Sequence, residues 1–433
     1  MEPDSTPDPT PDPKRARRSP FRRLRALDPN VRSLGLVSFV ADLSSEMLTP
    51  VFPGFVTKVL GAPVYVLGLI EGIAEATASL TRYPFGRWSD AVGRRRPFVL
   101  GGYGLAALGK LILALAFVWP TALAGRFVDR AGKGMRTAPR DALLAAGVRD
   151  EDRGLAFGLH RSMDTMGAVF GPLFALLLIE LGVSLRWVFA AAVVPGVLSA
   201  VVIRVWVRER APQAAPAPAP TTAVTADEGL LPRLRLPASP AFRRLLVATL
   251  VFAAGNSTNA FILLKASSVG FGYAGVILVY VLYNLTYAGG SLPLGGLSDR
   301  IGQFPVVIGG FVVFAAVYIG FALAHGKVAV VALFAVYGIY IAATEGTSKA
   351  LISRTAPDAD RASAMGFYDT TVGVATLAAS VVGGVLWTVV GPWATFVYGA
   401  VCAALAAAIL LAGTLRPNVA SESRSTRFPE VRR

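Results

Sequence analysis

The residues with the greatest chemical capacity in this chain are charged groups set in apolar sequence. Residues 125–141, GRFVDRAGKGMRTAPRD, hold Arg126, Asp129, Arg130, Lys133, Arg136, Arg140 and Asp141 between stretches that are almost entirely apolar. Read as a helix, Arg126, Arg130 and Lys133 share one face at i, i+4 and i+7, with Asp129 in ion-pairing reach of Arg126 and Lys133. Such a basic face suits a solute with an anionic or zwitterionic part. The fragment AGKGMRT is not a phosphate-binding loop, because its spacing is wrong and it lies inside a helical, apolar context. Acids are grouped as well: Asp42 with Glu46, and Glu71 with Glu75, each at i, i+4, and Asp164 one turn after His160. Two acids so close in a poorly hydrated place cannot both ionise cheaply, which is the chemistry of proton exchange. Glu46, Asp42, Glu71 and Asp164 are therefore the candidates for proton coupling, with Glu46 first and Glu71 second. Arg126, Arg130, Asn256, Asn259, Glu345 and Lys349 are the candidates for holding a solute. Asp369 and Ser257 lie in the same kind of setting, and Tyr280, Tyr283, Tyr287 and Tyr340 offer amphipathic walls.

The elements that position these groups are membrane spans. Of 433 residues 54% are hydrophobic and only 16% charged, with a mean hydropathy of +0.56. Soluble domains carry about 25% charged residues. Apolar runs of twenty or more residues recur, long enough to cross a bilayer core of about 30 Å. The chain reads as an all-α polytopic membrane protein whose first partner is the lipid bilayer. A charge facing lipid costs at least about 2.5–3.5 kcal/mol, so the charged stripe must face the bundle interior or water. The net charge of +15 lies largely in the tails and short loops, a topology signal and not a nucleic-acid footprint. Cys402 is the one cysteine, and His160 and His325 the two histidines, so no His/Cys metal cluster is expected. No nucleophile–base pair or cofactor motif stands out, which argues against an enzyme. Residues 1–13 are rich in Pro and Asp, and a basic block follows at 14–25. The first apolar run is too long and too charged for a cleaved secretory signal.

Twelve spans are expected, near 33–57, 63–86, 98–118, 121–146, 155–180, 186–207, 243–264, 272–297, 304–325, 328–352, 363–389 and 392–414. They make two six-helix halves, 33–207 and 243–414, joined by a Pro/Ala-rich linker, 208–242, and flanked by tails 1–32 and 415–433. Arginine is concentrated in the tails, the 87–96 loop and the linker, which places both termini in the cytoplasm of an inner-membrane protein. The halves repeat. Pro84, Gly86, Ser89, Asp90 and Gly93 fall on Pro293, Gly295, Ser298, Asp299 and Gly302 at an offset of 209, and DRGLAFG (152–158) falls on DRASAMG (360–366) at 208. Parallel repeats about an axis normal to the membrane are a transporter architecture.

These residues carry a family resemblance. GRWSDAVGRRRP resembles the signature between the second and third helices of the major facilitator superfamily, with Gly86, Asp90, Gly93, Arg94 and Arg95 in place, Trp88 for the usual Leu and Ala91 for a basic residue. The second copy keeps Gly295, Asp299 and Gly302 without the basic run. RFVDRAGKG resembles the fourth-helix signature, matching at Arg126, Gly132 and Gly134, with Asp129 for Gln and Arg130 for Gly. GAVFGP resembles the fifth-helix element of the family's exporters, at Gly167, Gly171 and Pro172. The resemblance spans about 33–414. It implies the major facilitator fold, a central cavity lined by helices one, four, seven and ten, and gating roles for Gly86, Asp90, Gly93, Arg94, Gly167, Gly171, Pro172 and Asp299.

The expectation is a proton-coupled secondary transporter, monomeric and without cofactor or bound metal, exporting a small amphipathic anionic or zwitterionic molecule. A proton-coupled importer of a small metabolite and a divalent metal-ion exporter are the alternatives.

Overall fold

The computed structural model describes residues 28–146, 148, 153–209, 240–355 and 361–414. In a bilayer every backbone N–H and C=O must be satisfied within the protein, and helices do so segment by segment. The N-terminal half comprises α1 (Pro29–Glu46), α2 (Val64–Val92), α3 (Arg96–Ala114), α4 (Trp119–Ala146), α5 (Arg153–Glu180) and α6 (Leu185–Trp206). The C-terminal half comprises α7 (Pro240–Gly255), α8 (Tyr273–Ile301), α9 (Gln303–Leu323), α10 (Lys327–Thr355), α11 (Arg361–Val389) and α12 (Pro392–Thr414). Among the described residues, ten helical spans are long and apolar enough to cross a membrane. The first and fourth fall outside that set, because Asp42 and Glu46 interrupt one and the 126–141 charges the other.

Two spans are broken, and they are the first of each half. After Glu46 the chain turns and resumes as Phe52–Gly54 and a π-helical turn, Phe55–Val59. After Gly255 it unwinds and resumes as Ala260–Ser268. Glu46 and Gly255 stand 209 residues apart, the offset of the sequence repeat. The repeated loop is also built alike. Gly93 and Gly302 end α2 and α8 at φ +67° and +93°, a conformation glycine adopts without strain. The sequence reading ended these spans at 86 and 297, whereas the helices run on through Val92 and Ile301.

Glycines set the close approaches inside the N-terminal half. A Cβ on Gly109 would lie 2.5 Å from the Asp129 nitrogen, and one on Gly132 2.5 Å from the Gly102 carbonyl, so α3 and α4 meet backbone to backbone. Gly134 meets α2 at Thr81 and Ala78. Gly167 and Gly171 of α5 seat against α1, where a Cβ on Gly171 would come within 2.6 Å of the Leu43 carbonyl oxygen. That backbone has no room to yield. Gly171→Leu is accordingly expected to abolish folded, monodisperse protein in detergent extracts, and normal yield and chromatographic profile would contradict this packing.

The halves are sealed against each other at the end opposite the termini. Val51, Phe52 and Phe55 share one buried apolar cluster with Phe261, Leu264 and Ile277. There α2 and α11 touch directly, with Tyr65 against Gly384 and Gly68 against the Ser380 carbonyl. At the other end of the N-terminal half, Glu209 caps α3 by accepting from the backbone N–H of Arg95 (3.0 Å) and Arg96 (2.8 Å). Arg208 exchanges hydrogen bonds with Asn30 at 2.9 and 3.0 Å. The first two residues assigned to the linker are thus docked, and Pro240 already belongs to α7.

Candidate functional site

A cavity of about 640 Å³ lies between the halves. Its N-half wall comes from α1, α2 and α4 (Glu46, Glu71, Glu75, Arg82, Arg126, Arg130 and Lys133). Its C-half wall comes from the 256–259 break, α8, α10 and α11. The break brings Asn256, Ser257, Thr258 and Asn259 to the cavity surface, where unwound backbone is tolerated within a membrane protein. Paired interrupted segments at equivalent places in two repeats are a pointer to a transporter's binding site.

The N-half wall is ionic. Arg126 grips Glu71 bidentately, Nε–Oε1 2.8 Å and Nη2–Oε2 3.2 Å, and lies over the Phe52 ring at 4.9 Å. Behind it, Asp129 pairs with Lys110 of α3 at 3.1 Å and stands 3.6 Å from Arg126 and 3.9 Å from Arg130. The Arg136 guanidinium stands over the Tyr103 ring, 4.1 Å from its centre. Lys133 and Glu75 project into the cavity and make no ion pair within 4.0 Å among the described residues. The Nε of Arg130 is buried without a hydrogen-bond partner. Around α4 the cations Lys110, Arg126, Arg130, Lys133 and Arg136 outnumber the anions Glu71, Glu75 and Asp129. This leaves a local positive excess around α4, which nearby Asp42 and Glu46 or a bound anion can offset.

The C-half wall is phenolic. Tyr337 donates to Asn259 at 2.7 Å, Asn256 approaches the Tyr340 oxygen at 3.4 Å, and Tyr280 meets Tyr283 edge to face at 4.9 Å. The repeat explains the contrast. At its offset of 209, Glu71 and Glu75 correspond to Tyr280 and Asn284. At 208, Lys110, Arg126 and Asp129 correspond to Tyr318, Phe334 and Tyr337. The Lys110–Asp129 ion pair of one half thus stands where Tyr318 and Tyr337 stack at 6.5 Å in the other. One scaffold presents a dense set of ion pairs on one wall and mainly hydrogen-bonding rings, with Glu345 and Asp369, on the other.

Polar contacts also join the two halves. Tyr280 donates to Glu46. Arg161 of α5 donates to Tyr287 and reaches Glu345 at 3.4 Å. Arg82 pairs with Asp369 at 2.8 Å, toward the termini side. The last pair is 37% and 31% exposed, so solvent screens it and its stabilising effect is about 0–1 kcal/mol. Neutralising either partner is therefore expected to change thermal stability by no more than about 1 kcal/mol. A loss of about 3 kcal/mol would show a desolvated pair instead.

Among the coupling candidates, Glu46 and Glu71 line the cavity. Asp42 and Asp164 do not, and stand beside each other in the α1–α5 seam, where Ser38 donates to Asp164. Arg126, Arg130, Asn256, Asn259 and Glu345 all line the cavity. The side chains of Lys349 and Asp299 lie outside the described residues. Gly86 packs on Ala138, Asp90 accepts from exposed-loop Arg95 at 3.3 Å, Arg94 is exposed, and Pro172 lies within α5. The sequence reading missed Lys110, Arg161, Tyr337 and Glu209. A lone lysine in the apolar third span was the available signal for the first.

A profile of the Major Facilitator Superfamily matches residues 34–261 and again 245–432. An uncharacterized MFS-type transporter of Methanocaldococcus jannaschii is 34% identical over 394 residues, 89% of this chain and 95% of that one. Two solved structures share the fold. A bacterial homolog of the human lysosomal transporter Spinster, inward-facing and unoccupied, matches with a TM-score of 0.69 at 16% identity over 92% of this chain and 98% of its own. A POT family transporter in complex with a thioalcohol-conjugated peptide matches with a TM-score of 0.73 at 14% identity over 90% and 99%. These relatives and neighbours are transporters, not enzymes. With two repeated halves around a polar cavity, the chain belongs to the major facilitator superfamily.

Proposed function

We propose that this transporter is proton-coupled and exports a small amphipathic compound with an anionic or zwitterionic part by alternating access. The observation that carries the reading is the cavity with one ionic and one phenolic wall, joined through Glu46 and Tyr280. Lys133 and Arg130 offer the anion-binding groups. Glu46, accepting from Tyr280 beside Tyr283, offers a site that a proton or a substrate ammonium occupies in turn. Competition of that kind makes an antiporter, since each ligand shifts the states only by its differential affinity. The arginine-rich tails, loop and linker support cytoplasmic termini in an inner membrane. In that orientation the sealed end faces outward and the cavity inward. The chain is proposed to work as a monomer.

The local positive excess around α4 favours a second reading. Protonating Glu46 or Asp42 would free those cations for an anion, so proton and anion would bind together, as an importer requires. Among the described residues no group of three or more His, Cys, Asp or Glu could hold a metal ion, which gives the metal-export alternative no support. Binding of aromatic carboxylates and zwitterionic amines to the purified protein at low and high pH separates the readings. Affinity that falls on acidification supports antiport; affinity that rises supports symport.

A further inference from the structure

A ladder of titratable groups leaves the cavity along the α1–α5 seam. Both helices run the same way, and their facing residues follow a constant register. Gly171 touches α1 at Leu43 and Glu46, Gly167 at Asp42, and Gly35 of α1 touches Met163 and Leu159 of α5. On α1, Glu46, Asp42 and Ser38 are successive i, i+4 positions on that face, each about 6 Å from the next. On α5, Asp164 and His160 continue the series toward the termini side, again at i, i+4. Glu46 lines the cavity, Asp42 stands beside Asp164, and Ser38 donates to Asp164. His160 is 6% exposed, and its Nε2 is buried with no hydrogen-bond partner. The groups facing His160 are Arg140 and Asp141 of α4 and Arg161 and Asp164 of its own helix. Those facing Asp42 are Glu46, Asp164 and Lys133, and Arg161 stands 3.9 Å from Asp164. Asp141, bonded to Arg140 at 2.9 Å, is 44% exposed and opens the far end to water.

We infer that this seam is the route by which protons pass between the buried acids Asp42 and Asp164, which do not line the cavity, and the termini-side water, with His160 as its relay. The inference rests on the proton-coupled reading above. The steps balance as simple transfers. The Asp42 O–H gives its proton to the Asp164 carboxylate. Asp164 protonates the unpartnered Nε2, and the imidazolium loses a proton to Asp141 or water. The glycines at 167 and 171 matter here because they bring the acids of α1 against α5, where bulkier residues would hold the rungs apart. Apolar side chains close the seam elsewhere, with Leu34, Val37, Ala41 and Ala156 buried in one cluster.

The test needs no substrate. Full-length protein in detergent is taken through a rapid acid jump while infrared absorption follows the C=O stretch of the buried carboxyl group that is lost in Asp42→Asn. The expected result is that His160→Gln slows the appearance of this band at least about tenfold, leaves its final amplitude unchanged, and that in His160→Ala added free imidazole restores the rate. A structural role alone would not give rescue by imidazole. A wild-type rate in His160→Gln, or in Asp164→Asn should the first variant fold poorly, overturns the route while leaving coupling at Glu46 intact. Absence of any acid-dependent carboxyl band in the wild type overturns the coupling reading, and the route with it.

Discussion

Arg126→Gln is expected to lower the unfolding free energy by about 3–5 kcal/mol, the usual effect of breaking a buried ion pair by removing one partner. Arg126 is 4% exposed and Glu71 12%, so neither has water to fall back on. Without the guanidinium, Glu71 loses both its hydrogen bonds and Asp129 loses one of the cations around it. The stacking on Phe52 disappears as well, which loosens the apolar seal at the closed end. Adding Glu71→Gln should recover most of the stability, because two amides of similar shape replace the pair without leaving a buried charge. Transport should stay low in the double variant, since the wall has lost its charge pattern. Thermal unfolding in detergent measures the first effect and vesicle flux the second. Equal melting of Arg126→Gln and wild type would mean that the pair is not desolvated in the protein.

The second large effect is expected at Glu46. Glu46→Gln should abolish gradient-driven transport while leaving substrate exchange between two equal pools within about tenfold of wild type. Glutamine keeps the shape and can still accept from the Tyr280 hydroxyl, so the link between α1 and α8 survives. What it cannot do is bind and release a proton, and coupling requires both. Glu71 is held in a bidentate grip by Arg126, which leaves Glu46 the freer acid of the two. Gradient-driven transport at the wild-type level in Glu46→Gln would move the coupling role elsewhere in the seam.

Much of this arrangement was legible in the sequence, and the limit lies in what periodicity encodes. Helical spacing placed Arg126, Arg130 and Lys133 on one face, and the cost of charge in lipid turned that face inward. Spacing says nothing about which neighbouring helix lies opposite. Asp129 was read as a partner for Arg126 and Lys133, yet its shortest ion pair is to Lys110 on α3, because Gly109 and Gly125 bring those backbones together. Spacing reads Asp42 and Glu46 as one pair on one face, and they share that face of α1, with Glu46 at the cavity and Asp42 where Gly167 seats against it. The repeat offset was visible from the loops. That it also maps the ionic wall onto the phenolic one follows only once both walls are seen to line the same cavity. Glu209 was assigned to a linker by its Pro/Ala-rich context, and its capping of α3 depends on where α6 ends, which composition does not encode.

The claim that a proton gradient drives solute through this cavity has one direct measurement. The purified protein is reconstituted in vesicles, a pH gradient is imposed, and flux of a panel of small organic anions and zwitterions is followed with and without a protonophore. The account predicts that at least one compound moves opposite to the proton, that the protonophore stops it, and that Glu46→Gln does the same. Flux that persists unchanged when the gradient is collapsed would contradict it.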